Sequence, residues 1–205
     1  MKKFIVAISR EFGSGGRIVG FKLAEQMGIS FYDRAVILLA AEKTGMSPEL
    51  MEDVENSAAS SYVFNLSQAM QASNAPILTY DLTPNGETFV AQSEIIKEIA
   101  AKESAVIIGC CADYILRDEP GLVNIFLHAE KEDKLRRLIK VYGLSEKEAK
   151  EQMKQVDRGR ESYYRTFTGA EWGNPLVQDL YINTSRTGID GAVAAIIAAV
   201  TEKMK

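Results

Sequence analysis

Two rhythms of apolar and polar residues alternate along this 205-residue chain. Short continuous apolar runs at Phe4–Ile8, Ala105–Ile108 and Leu122–Leu127 read as buried strands, and Ser30–Tyr32 and Leu180–Asn183 add two more. Between them the apolar residues recur at helical spacing. Ile18, Val19, Leu23 and Ala24 predict a helix over Gly15–Met27. Further helices are expected at Arg34–Gly45, Ser47–Asp53, Glu87–Lys102, Ala112–Leu116, Lys131–Val141, Ser145–Tyr164 and Gly188–Lys203. Ser47-Pro48 is a helix-start signal, and Ser145-x-x-Glu148 has the spacing of a capping box. In the closing helix, Ala192, Val193, Ile196, Ile197 and Val200 form a core face. Five strands interleaved with helices imply an α/β fold around a mostly parallel sheet. Residues 54–88 break the pattern. They are rich in Ser, Ala, Asn and Gln, with a turn at Thr83-Pro84-Asn85-Gly86, and read as a lid-like insertion of one or two helices.

Composition narrows the class. With 46% hydrophobic and 25% charged residues, the chain suits a single globular domain with a substantial core. A net charge of −4 argues against a broad nucleic-acid-binding surface, while leaving room for local arginine clusters that bind a small anion. No apolar run approaches the ~20 residues that span a bilayer. The basic start, MKKFIVAIS, reaches Ser9 and Arg10 too soon for a signal peptide and is read as the first strand. Cys110 and Cys111 are adjacent and lack metal-site spacing, which fits reduced thiols at a strand end and a cytoplasmic setting.

The first strand–helix junction carries the strongest chemical signal. Gly13, Ser14, Gly15 and Gly16 lie between an apolar run and a helix, with Arg10 and Arg17 on either side. Such a turn is either a tight connection with no ligand or a phosphate cradle of backbone N–H groups at the positive end of a helix dipole. The flanking arginines favour the cradle, because a guanidinium offers a planar fork of donors that matches phosphate. The turn departs from G-x-x-x-x-G-K-[ST], since it contains no lysine. Asp33, Gly109 and Asn183 follow other strands, so the parallel sheet would bring them to the same end as the turn.

A second cluster is Asp157-Arg158-Gly159-Arg160 with Arg165. Together with Arg136 and Arg137, it places five arginines in 30 residues. The cluster is either a solvated helix face or a pair of arginine-bearing helices that close over a polyphosphate. Arg158 and Arg165 are seven apart and share a face. Phosphoryl transfer needs such positive groups, because the enzyme mainly positions the reactants and neutralises charge. His128, Trp172 and the Tyr163–Tyr164 pair are read as structural residues.

The stretches ISREFGSGGR, LAEQMGISFYDRAVI, AVIIGCCADYIL, IFLHA, DRGRESYYRTFTGAEWG and LYINTSRTG, in this order, resemble the cytidylate kinase-like family of nucleoside monophosphate kinases. The resemblance runs nearly the whole length. It implies a P-loop kinase-like core over residues 1–205, with a monophosphate-binding insertion at 46–90 and a lid region at 130–165. It implies transfer of phosphate from ATP to CMP or dCMP with Mg²⁺, and small-molecule nucleotides as partners. On this resemblance Arg10 and Gly13 to Arg17 hold the donor phosphates, and the loop Asn183–Thr187, with Ser185 and Arg186, lies beside the donor base. Asp33, Arg34, Asp157 and Arg158 contact the acceptor, while Arg17, Arg137, Arg158 and Arg160 act on the transferring phosphate.

Aligned on the following helix, Arg10 stands at the first glycine of a conforming P-loop, Gly16 at its lysine and Arg17 at its hydroxyl residue. The strand end Ile108-Gly109-Cys110-Cys111 replaces the family's acid followed by Gly-Arg-Asp, which leaves Asp113 as the nearby acid. Two functions follow as expectations. One is a kinase in which Arg10 or Arg17 supplies the missing charge. The other is a nucleotide-binding regulatory module with little or no kinase activity. A kinase with a different small acceptor is a third.

Overall fold

The computed structural model describes residues 3–33 and 86–205. The expected helices Arg34–Gly45 and Ser47–Asp53, the residue Arg34 and nearly all of the 46–90 insertion lie outside the described residues.

Among the described residues five strands form one sheet: β1 (Ile5–Arg10), β2 (Ser30–Tyr32), β3 (Ala105–Ile108), β4 (Leu122–His128) and β5 (Leu180–Asn183). Their order across the sheet is β2-β3-β1-β4-β5, and every pairing is parallel. Parallel strands need crossovers, and helices supply them. Among the described residues these are α1 (Gly16–Met27), α2 (Gly86–Lys102), α3 (Ala112–Ile115), α4 (Lys131–Tyr142), α5 (Glu146–Thr168) and α6 (Thr184–Lys203).

The strands are apolar throughout because both faces of the sheet are covered. Phe4, Val6 and Ile8 of the β1 segment pack with Val106, Val123 and Ile125 against Val19 and Leu23 of α1 and Val193, Ile196 and Val200 of α6. Ile5 and Ala7 point the other way, joining Ala105 and Ile107 against Ile96 and Ile99 of α2 and Leu116 after α3. The two-residue alternation of a strand thus divides one apolar run between two core layers.

The sequence places β2, β3 and β5 at their observed bounds. β1 runs further than its apolar stretch, because Ser9 and Arg10 keep pairing with Phe126 and Leu127 of β4. Polar side chains therefore arrive at the strand's C-terminal end, the edge at which ligands bind in such sheets. α5 continues past Tyr164 to a C-cap at Gly169, and the capping box at Ser145 and Glu148 forms with both of its hydrogen bonds. α6 is two helices joined across a kink at Gly188 (φ 69°), so the expected start at Gly188 marks the longer of them, and a short helical turn from Thr184 precedes it.

α4 and α5 are joined by a short connection at Gly143 and pack against each other. Leu138, Ala149 and Met153 are buried between them, and Phe12 from the glycine turn packs into the same cluster. This small second core sets the pair against the end of β1.

Candidate phosphate-binding site

The turn between β1 and α1 takes its shape from two glycines in left-handed conformations, Gly13 (φ +82°) and Gly15 (φ +87°), the latter serving as the α1 N-cap. Ser14 is fully buried. Its hydroxyl and its N–H both donate to the Glu11 carbonyl, at 2.8 and 3.2 Å. That closes the turn and leaves no hydroxyl free for a ligand. Among the described residues the amides of Gly13, Gly15 and Gly16 find no protein acceptor, so the turn has the donors of a phosphate cradle at a helix N-terminus.

α4 and α5 hold this turn from one side. Asp157 of α5 accepts the Phe12 N–H at 2.7 Å, and Arg160 donates to the Arg10 carbonyl at 2.9 Å. The two side chains also pair with each other at 3.4 Å, with Arg160 lying over the Phe12 ring. Burial pushes the Asp157 carboxyl above the usual aspartate range, against the pull of Arg160. From α4, Arg137 donates to the Gly13 carbonyl, and its guanidinium carbon lies 3.2 Å from where a Gly15 Cβ would stand. Burial lowers the Arg137 pKa. Lys134, one turn earlier, pairs with Glu11 at 2.8 Å. On another side, Thr184 at the start of α6 donates to the Ser14 carbonyl at 2.6 Å.

The structure sorts the arginines read from the sequence. Arg137 and Arg160 meet the turn. Arg136 pairs with Asp133 on the outer face of α4. Arg158 and Arg165 do share a face of α5, but both are exposed, and Arg165 pairs with Glu161 there. In this conformation Arg158 stands apart from the turn that its neighbours Asp157 and Arg160 grip. Arg17 leaves the cradle as well: its guanidinium pairs with Asp33, at the end of β2, at 2.8 Å. Ser185 and Arg186 flank the turn from the first turn of α6. The Ser185 hydroxyl accepts the Glu130 N–H at 2.9 Å, and exposed Arg186 lies 3.6 Å from Glu130.

Glu11 and Lys134 have no role in the sequence reading, and Thr184 enters it only within the Asn183–Thr187 loop. A signal existed for Lys134, which precedes Arg137 by three residues and so shares its helix face. The apolar pattern gave none for Glu11 or Thr184, whose roles depend on how distant segments meet. Asp113 does turn inward, where it accepts from the Tyr164 hydroxyl at 3.0 Å, and its other carboxylate oxygen is buried with no hydrogen-bond partner. Burial raises the pKa of both groups. Tyr163 and Tyr164 are buried and Trp172 packs edge-on against Phe126, so these aromatics are structural, as expected.

A family model described as the cytidylate kinase-like family matches residues 5–186. The chain belongs to this family. The solved structure of an uncharacterized protein from Eubacterium ventriosum ATCC 27560 is 27% identical, with 97% of this chain and 99% of that one covered and a TM-score of 0.73. Two other solved structures share the fold. A shikimate kinase from Bacteroides thetaiotaomicron is 13% identical over 97% and 98% of the two chains, with a TM-score of 0.52. A gluconokinase from Sinorhizobium meliloti 1021 is 16% identical over 98% and 94%, with a TM-score of 0.53. No curated protein matches the chain.

The family of kinases implies ATP and, as a rule, Mg²⁺. The free turn amides with Arg137 and Arg160 beside them fit a polyphosphate. A magnesium ion held by the protein fits less well. The P-loop hydroxyl position is Arg17, already paired with Asp33, and no group of three His, Cys, Asp or Glu residues converges among the described residues.

Proposed function

We propose that this protein moves the γ-phosphate of ATP to a nucleoside monophosphate, with CMP or dCMP preferred. The observation that carries the reading is the grip of Asp157 and Arg160 on the backbone of the glycine turn. It brings the arginine-rich helical pair onto the donor-phosphate cradle, where charge develops during transfer.

In the proposed reaction an oxygen of the acceptor phosphate forms a bond to the γ-phosphorus. The bond from that phosphorus to the β–γ bridging oxygen breaks, and ADP leaves with the electron pair. An acceptor phosphate is already a competent nucleophile, so no general base is required. The turn amides, Arg137 and Arg160 bind the donor phosphates and offset their charge. Arg17 of α1 and Asp33, at the end of β2, serve the acceptor together with Arg34 and Arg158. Ser185 and Arg186 border the donor base.

The replacement of the P-loop lysine by Gly16 favours a second reading, a nucleotide-binding regulatory module. One experiment separates them: ADP release measured with ATP and CMP, dCMP, UMP or AMP, beside calorimetric ATP binding. The kinase reading expects ADP release that depends on the acceptor and is fastest with CMP or dCMP. ATP binding without ADP release from any acceptor would overturn it and support the second.

A further inference from the structure

Gly16 is the first residue of α1, and its φ lies outside the left-handed range that would call for glycine. Its reason is a neighbour. A Cβ on Gly16 would stand 2.8 Å from the Arg10 Cβ and 2.7 Å from the Arg10 Cγ. The first of these distances is decisive. The Arg10 Cβ is fixed by the backbone of β1, so no change of rotamer relieves the clash. As long as residue 10 carries a side chain of this kind, residue 16 has to be glycine.

The same side chain runs on to Gly109, at the end of β3, where a Cβ would lie 2.4 Å from Arg10 Nη1. Arg10 therefore occupies a slot whose two walls are glycines from different elements. Its stem lies over the start of α1, and its guanidinium sits at the C-terminal edge of the sheet, where β1 and β3 run side by side.

Set against G-x-x-x-x-G-K-[ST], these positions are reciprocal. The ordinary P-loop has glycine at the position of Arg10 and lysine at the position of Gly16, and its lysine reaches the β- and γ-phosphates. This chain has a long cation at the first position and glycine at the second. A side chain at both would collide, so the two changes form one exchange.

We infer that Arg10 is the cation that takes the place of the P-loop lysine on the donor phosphates, delivered from the strand end, with Gly16 and Gly109 as the slot that admits it. This rests on the ATP-dependent reading above. An arginine in this role stays charged at any working pH and can grip two phosphate oxygens at once.

The test is calorimetric binding of ATP to the full chain in five forms: wild type, Arg10→Met, Arg10→Gly, Gly16→Lys and Arg10→Gly/Gly16→Lys. Methionine fills the slot without charge, so Arg10→Met should fold normally and lose about 10- to 100-fold in affinity, the worth of a charge-assisted hydrogen bond. Arg10→Gly should lose at least as much. Gly16→Lys should bind poorly or fail to fold, and the double variant should recover both folding and most of the affinity. Wild-type affinity in Arg10→Met, or a double variant no better than Gly16→Lys, would overturn the inference. A wild-type protein that does not bind ATP would instead overturn the functional reading beneath it.

Discussion

The α4–α5 pair has two arginine-bearing faces that look alike in sequence and differ in what they touch. The inner face carries Arg137, Asp157 and Arg160, each bonded to the backbone of the glycine turn. The outer face carries Arg136, Arg158 and Arg165. Two of these pair with acids on their own helix, and Arg158 extends into solvent. Exposed intrahelical pairs contribute little, because water screens them and ordering long side chains costs entropy. The inner groups act on a backbone that the core already holds in place. Position on the helix, rather than charge, decides which arginines can serve the donor phosphates at the glycine turn.

The largest expected effect compares neighbours on α4. Arg137→Ala should lower turnover by about 10²–10³, the usual cost of losing one preorganised charged donor. Arg136→Ala should stay within about fivefold, the most that an exposed pair worth up to about 1 kcal/mol allows. Steady-state rates with ATP and CMP check both, and similar losses in the two would erase the distinction between faces.

A smaller effect concerns stability. Asp157→Ala leaves the Phe12 N–H without its acceptor and should cost about 1–3 kcal/mol in denaturant unfolding. Glu161→Ala, on the outer face, should change it by less than about 0.5 kcal/mol.

The pH dependence of stability supplies a subtler contrast. Asp113 packs against Tyr164 on the inner side of α5, and burial raises its pKa, so the folded state holds that proton more tightly than the unfolded chain does. Its contribution is present at low pH and is lost as pH rises through the raised value. Asp113→Asn keeps an acceptor for the Tyr164 hydroxyl and removes this loss. Its melting temperature relative to wild type should therefore be more favourable at about pH 8 than at about pH 4. Asp133 is the opposite case. Its hydrogen bond with Ser185, aided by Arg136, lowers its pKa, so its contribution holds at neutral pH and is lost on acidification. Asp133→Asn should fall behind wild type at neutral pH and draw level in acid. A pH-independent difference in either variant would contradict its assignment.

Much of the fold was legible because apolar runs bounded by glycine or charge leave little choice. β2, β3 and β5 follow their runs residue for residue. Ends set by pairing rather than by burial were less visible, as where β1 continues through Ser9 and Arg10 along β4. Gly188 reads as a helix boundary and is the kink at which the two helices of α6 meet, while the polar turn from Thr184 before it carries no apolar signal. The site was half legible. The seven-residue spacing of Arg158 and Arg165 does define a face, but spacing alone does not say which face docks. The apolar positions of α5 held the answer: Ala149, Met153 and Tyr164 are buried, and the stripe they define runs through Asp157 and Arg160 rather than Arg158. The place of Arg17 was not legible, because its pairing with Asp33 joins α1 to the end of β2.

The central claim is that the inner face of α5 serves the donor nucleotide, ATP, and the outer face does not. Calorimetric ATP affinity of wild type, Arg160→Ala and Arg158→Ala tests it most directly, because the two arginines are two residues apart on one helix. The account predicts a loss of about 10- to 100-fold in Arg160→Ala and a change within about fivefold in Arg158→Ala. Equal losses in both variants, or a larger loss in Arg158→Ala, would contradict it.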